Sequence, residues 1–150
     1  MVKAAFLKGD RLGAAYHEAG HAVVAWSLGL PVGAIAISDD DPTAGTTDVG
    51  TTEHLPTTDR LAVCLAGIEA QHLFRFPTNE HAGYSDYVKV LDIIGEDLTE
   101  QESLELRNAG YMRARGLILA HESKVALLAE RLADDGRMDA SEFTKLMNAR

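Results

Sequence analysis

Residues His17-Glu18-Ala19-Gly20-His21 constrain this chain more than any other stretch. On an α-helix, positions four apart project from one face, one turn from each other. Two imidazoles placed that way can grip one metal ion. Glu18 then leans beside the metal without binding it, where a carboxylate can take a proton from a water held there. The pattern demands a helix, and the flanks predict one over residues 11–28. Asp10 is a candidate N-cap, and Gly29 followed by Pro31 ends the segment. Leu12, Ala15, Tyr16, Ala19, Ala22, Val23 and Trp26 recur at three- and four-residue steps and would line a partly dry site. In such surroundings a metal polarises water more strongly than in bulk solvent.

Length and composition narrow the rest. The 150 residues suit a single domain spanning 1–150, with 46% hydrophobic and 25% charged residues. A net charge of −9 with no basic stripe argues against nucleic acid as a partner. The lone Cys64 cannot form an internal disulfide and reads as a small buried hydrophobe, which suits a cytoplasmic protein. Met1 to Lys8 is too short to hold a secretory signal. Ala19 to Ser38 is nearly free of charge, but Gly29, Pro31 and Gly33 break it, so it reads as helix then strand and no membrane span is expected.

Further along, Val32 to Ser38 alternates loosely and predicts a strand, itself a candidate edge for pairing with an extended peptide. Residues 39–56 predict a loop with a short second strand near Thr46 to Thr52. Its acidic run Asp39-Asp40-Asp41 reads as a solvated turn, since the spacing of a calcium-binding loop is missing. Thr57 or Thr58 would cap a helix reaching Phe74, with Leu61, Leu65, Ile68 and Leu73 as its apolar stripe. Ser85 would cap a helix ending at Ile94 before Gly95. Thr99 with Glu102, and Asp139 with Glu142, form capping boxes. The first predicts one helical run to about Leu132, with Ile118, Val125, Leu128 and Leu132 on one face. The second opens a short closing helix with Phe143 and Leu146. The expected class is mainly α with a small β-sheet.

A catalytic zinc usually has three protein ligands and one open position. A third histidine six residues after His21 would complete one common pattern, but Ser27 stands there and Val24 replaces that pattern's glycine. The third ligand must come from another element. By residue type the candidates are His54, Glu69, His72, His81 and Asp86.

The segment Ala15-Tyr16-His17-Glu18-Ala19-Gly20-His21-Ala22-Val23-Val24-Ala25 resembles the peptidase segment of the FtsH family of ATP-dependent zinc metalloproteases. Leu65-Ala66-Gly67 is similar to the family's Leu-Ala-Gly. Gly83-Tyr84-Ser85-Asp86 is similar to the approach to the aspartate that is its third ligand. The order of Pro31-Val32 and Ala44-Gly45-Thr46-Thr47 also fits. The resemblance implies an FtsH-peptidase-like helical domain, with zinc held by His17, His21 and Asp86 and with Glu18 as the catalytic base. It implies a hydrolase cutting unfolded or extended polypeptides. A predicted helix N-terminus at Asp86 agrees, because the helix dipole favours a carboxylate there.

Two departures stand out. The chain has no phosphate-binding Gly-x-x-x-x-Gly-Lys-Ser/Thr loop, so any ATPase motor would be a separate partner; self-association is the other association such a domain would use. The family's paired glutamates correspond to Gln71 and His72. Gln71 is thus the candidate that orients a metal-bound histidine, by a hydrogen bond without charge. Two rival readings are a non-catalytic zinc-containing module that binds peptides or regulates a partner, and a metal-free helical interaction protein using Met112, Met138 and Met147.

Overall fold

The computed structural model describes residues 2–78 and 83–149, and for residues 2–8 the backbone alone. Its elements run α1 (Val2–Ser27), β1 (Val32–Ile37), β2 (Gly45–Val49), α2 (Thr57–Leu73), α3 (Tyr84–Ile94), α4 (Glu100–Ala120), α5 (Glu122–Asp135), β3 (Arg137–Met138) and α6 (Ala140–Asn148). The fold is mainly helical with one small antiparallel sheet of order β2-β1-β3. Among the described residues no helix is long and apolar enough to cross a membrane.

The centre of the fold is α1. Ala14, Ala15, Ala19, Ala22, Val23, Val24 and Ala25 are all buried, so between residues 13 and 25 this helix is covered on nearly every side. That is the mark of a core helix rather than a surface one. Small residues let its neighbours come close. A Cβ added to Gly20 would stand 2.6 Å from the Ala66 carbonyl oxygen and 2.6 Å from the Ala70 methyl, both on α2. The two backbones therefore touch where α1 crosses α2. On its other side α1 packs against α5, whose Val125, Leu128, Ala129 and Leu132 are buried. Midway along α1, Tyr16 stacks on Phe76 at 4.9 Å, which holds the chain just after α2 beside α1.

Several boundaries differ from the sequence reading. The motif helix begins at Val2, not after Asp10, so Asp10 is an interior residue and no cap. The stretch before it is rich in Ala, Leu and Lys, whose helix propensity carries the helix back. Pro56, with no side-chain cap, occupies the position before α2, and Thr57 is already helical. Proline's fixed φ suits a helix start, so the threonine hydroxyls are not needed. Ser85 is likewise inside α3, and Gly83 precedes it. Both capping boxes form as expected, at Thr99–Glu102 and Asp139–Glu142.

The single long helix expected to Leu132 is two helices, broken at His121. His121 leaves the helical conformation at φ −126°, and its ring meets Trp26 edge-on at 5.3 Å. The break redirects the chain. The buried Gly110, Ala114 and Ile118 belong to α4, which packs on α2, while α5 turns to cover α1. Met138 and Met147 are buried core residues, whereas Met112 is exposed.

The sheet also corrects an expectation. Val32 to Ser38 does form a strand, β1, but it lies in the middle, paired antiparallel with β2 and, at Ile35 and Ala36, with β3. It cannot serve as the open edge. That edge belongs to β2. The Ala44 carbonyl accepts from Ser38 N–H, and Gly50 N–H donates to the Pro31 carbonyl. Peptide groups alternate along a strand. Gly45, Thr47 and Val49 therefore turn their N–H and C=O groups outward. The acidic run ahead of β2 is a turn, with Ser38 Oγ accepting from Asp40 and Asp41 N–H at 3.2 Å.

The contact at Gly20 predicts a strong position effect. Gly20→Val should destabilise the fold by about 1–3 kcal/mol, because the new methyls force α1 from α2. Gly116, on the exposed side of α4 with open space at its Cβ, is the contrast. Gly116→Ala should stabilise by about 0.5–1 kcal/mol through helix propensity. Urea unfolding measures both, and equal effects at the two sites would refute the close-packing account.

Candidate metal centre

Helical spacing brings His17 and His21 to one face of α1, as the motif requires, and both rings are buried. Asp86 comes from the third residue of α3, some 65 residues beyond His21. Its helix is pinned to α2 by Val90, which packs with Leu61, Cys64 and Leu65. Asp86 Oδ2 lies 2.9 Å from His17 Nε2 and 3.0 Å from His21 Nε2. The two Nε2 atoms are 3.1 Å apart.

The other ring nitrogens decide what this triangle is. His17 Nδ1 lies 2.8 Å from Gln71 Oε1, and His21 Nδ1 lies 2.8 Å from the Val63 carbonyl oxygen. The Gln71 amide is oriented by its own nitrogen, which donates to the Pro77 carbonyl at 3.4 Å. Both Nδ1 partners are acceptors, so both Nδ1 atoms carry hydrogen. Each neutral ring then presents a lone pair at Nε2. Two lone pairs and a carboxylate oxygen converge on one point, and such a cluster needs positive charge at its centre.

Either a proton or a metal ion supplies it. Burial alone would lower the pKa of His21, but the hydrogen bond to Asp86 and the charges of Asp86 and Glu18 outweigh it and lift the ring to about 9. Burial would raise Asp86, but hydrogen bonds and charge from the two imidazoles hold its carboxyl well below the usual range. A divalent ion fits the same geometry. Donors bonded to one tetrahedral ion at about 2.0–2.2 Å stand roughly 3.3 Å apart, and the observed edges fall a few tenths short. Gly67 on α2 makes the space. A Cβ there would overlap His17 Nε2 and stand 2.6 Å from His21 Nε2.

Glu18 is also buried and faces the same cleft, of about 760 Å³. Thr47 of β2 donates its hydroxyl to Glu18 Oε1 at 2.7 Å. Oε2 has no hydrogen bond among the described residues. The cleft is walled by β2 on one side and by Cys64, Arg60 and α3 on the other. Burial, then the Asp86 charge, pushes the Cys64 thiol up to about 11, so it stays protonated and inert at neutral pH.

Of the five third-ligand candidates, Asp86 alone joins the histidine pair among the described residues. His54 is exposed. Glu69 is buried away from the pair and meets His72 at 3.9 Å; burial raises its pKa, against the pull of His72 and Arg115. His81 lies outside the described residues. Sequence reasoning missed Thr47, the Val63 carbonyl and the space at Gly67. Gly67 did carry a signal, since glycine inside a helix costs about 1 kcal/mol and needs a reason. Thr47 and Val63 carried none. No protein-family model matches the chain, and no curated protein matches it significantly.

Two measurements follow. Asp86→Ala should cost most of the bound metal after dialysis, while Glu69→Ala should keep it; the opposite ranking would reassign the ligand. For chelator-treated protein the sign of the pH effect is set by His21. Its raised pKa gives stability that is complete below pH 6.5 and is lost as pH rises through about 9. Melting temperature should fall across that window, and fall less in His21→Gln. Added metal competes with the same proton, so its stabilising effect should grow over the same range. Parallel curves for the two proteins would refute the assignment.

Proposed function

We propose that this chain is a zinc-dependent endopeptidase of the kind found in the FtsH family, acting on unfolded or extended polypeptides. One observation carries the reading: a buried His-His-Asp triangle shares a cleft with a glutamate that lies outside the triangle and has one carboxylate oxygen without a hydrogen bond among the described residues, and with an open strand edge. A structural metal site is normally closed by four protein ligands. Here the three ligands are accompanied by Glu18, which a purely structural centre has no use for.

His17, His21 and Asp86 would hold the metal. Zinc there would act as a Lewis acid on a peptide carbonyl and lower the pKa of a coordinated water toward about 7. Glu18 takes a proton at Oε2, the oxygen left without a partner, and later delivers it to the departing amine. Thr47 holds Oε1 and keeps the carboxylate from swinging away. Because the same threonine lies on β2, a chain paired with that strand also touches the element that orients the base. The outward N–H and C=O groups of Gly45, Thr47 and Val49 can bind a substrate backbone as an added strand, which recognises any sequence in extended form. Gln71 fixes the His17 ring as a neutral amide. A carboxylate there would raise the basicity of His17 further, so this centre trades some ligand strength for lower buried charge.

Glu18→Gln should keep the metal and lower hydrolysis of an unstructured casein-type substrate by about 10²–10⁴-fold. A chelator should stop wild-type cleavage, and zinc should restore it. Undiminished cleavage by the Gln variant removes Glu18 from the reaction. Tight peptide binding with no cleavage by zinc-loaded wild type would mark the chain as a binding module instead.

A further inference from the structure

The cleft carries two cations that the mechanism does not use. Arg60 of α2 and Lys89 of α3 both line it. Neither makes an ion pair or a side-chain hydrogen bond among the described residues. The chain has 23 acidic residues against 14 basic ones, so cations have an excess of possible partners. The Arg60 Nε is buried with no acceptor. A buried donor left bare costs free energy, and in a native fold it calls for a ligand or a water. Arg107 has a similar buried nitrogen, but it lies on α4 and does not line the cleft. Both cleft cations are near enough to Cys64 for its thiol to feel their charge.

Resting on the peptidase reading above, we propose that Arg60 and Lys89 form a carboxylate-recognition subsite, so that the cleft selects polypeptides bearing an anionic group a few residues from the cleaved bond. A guanidinium offers paired N–H donors that match the two oxygens of a carboxylate, and the ammonium adds a second charge. Position follows from the helices. Arg60 precedes Gly67 by two turns, about 10 Å along α2. Lys89 lies one turn beyond Asp86 on α3. An extended chain advances about 3.3 Å per residue, which places the anionic group roughly three residues from the metal triangle. The other lining charges, Glu18, Asp48, Glu53, Asp86 and Asp92, are all acidic. They would repel such a group elsewhere in the cleft and so fix its register. The carboxylate can belong to an Asp or Glu side chain or to a free C-terminus.

The test uses zinc-loaded protein and fluorogenic peptides of small neutral residues. Each peptide carries one Glu at a successive position and has a Gln twin, and each is made as free acid and as C-terminal amide. At one position the Glu peptide should exceed its twin in kcat/KM by about tenfold. Arg60→Gln should bring that ratio to within about twofold of one, and Arg60→Lys should restore part of it. Lys89→Met, at an exposed position, should reduce the ratio independently. A preference that instead follows the free acid over the amide assigns the same subsite to a terminal carboxylate. Cleavage of all peptides at equal rates overturns the subsite and leaves the peptidase standing. If no peptide is cleaved and none binds Glu18→Gln by fluorescence anisotropy, the peptidase reading falls and the subsite with it.

Discussion

The close crossing of α1 and α2 governs everything built on it. Helices packed through ordinary side chains keep their axes about 8–10 Å apart. Here Gly20 faces Ala66 and Ala70 with no side chain between, and Gly67 faces the two imidazoles. The first contact brings the backbones together. The second leaves room for the histidine tips inside the interface. As a result the Val63 carbonyl and the Gln71 amide, both on α2, reach the Nδ1 atoms of α1. A looser crossing would leave those hydrogens without partners and the rings free to rotate. The chemistry at Nε2 is thus set on the far side of each ring by an adjacent helix.

The polar cluster brings a cost that the packing has to carry. His17, Glu18, His21, Gln71 and Asp86 are all buried side chains in a protein of ordinary apolar content. Each has a partner, and the partners lie on four different elements: α1, α2, α3 and β2. No local piece of the fold can assemble the cluster alone. It forms only when the helical core and the sheet are both in place, which ties the cleft to the global fold.

Much of this could be read from the amino acids, and the reasons for the rest are physical. The histidine pair, its helix and the two capping boxes rest on local spacing, which the fold preserved. Asp86 was reached through resemblance and a helix start, and the third residue of α3 does carry it into the triangle. The break at His121 had no local sign, because neither glycine nor proline stands there and α5 resumes with an apolar face of its own. The two-residue β3 and the central place of β1 depend on contacts between distant segments. Thr47 depends on them too: a threonine in a short expected strand says nothing about Glu18 until β2 is laid against α1.

An open strand edge is a hazard as well as a tool, because it offers its backbone to any extended chain, including another copy of the same protein. β2 is short, at five residues, and its exposed positions are Thr46 and Asp48. A second copy docking edge to edge in antiparallel fashion would bring like charges together around Asp48, which opposes self-pairing in a molecule already at −9. The strand can thus stay available without promoting aggregation, and replacing its one carboxylate would trade solubility for stickiness.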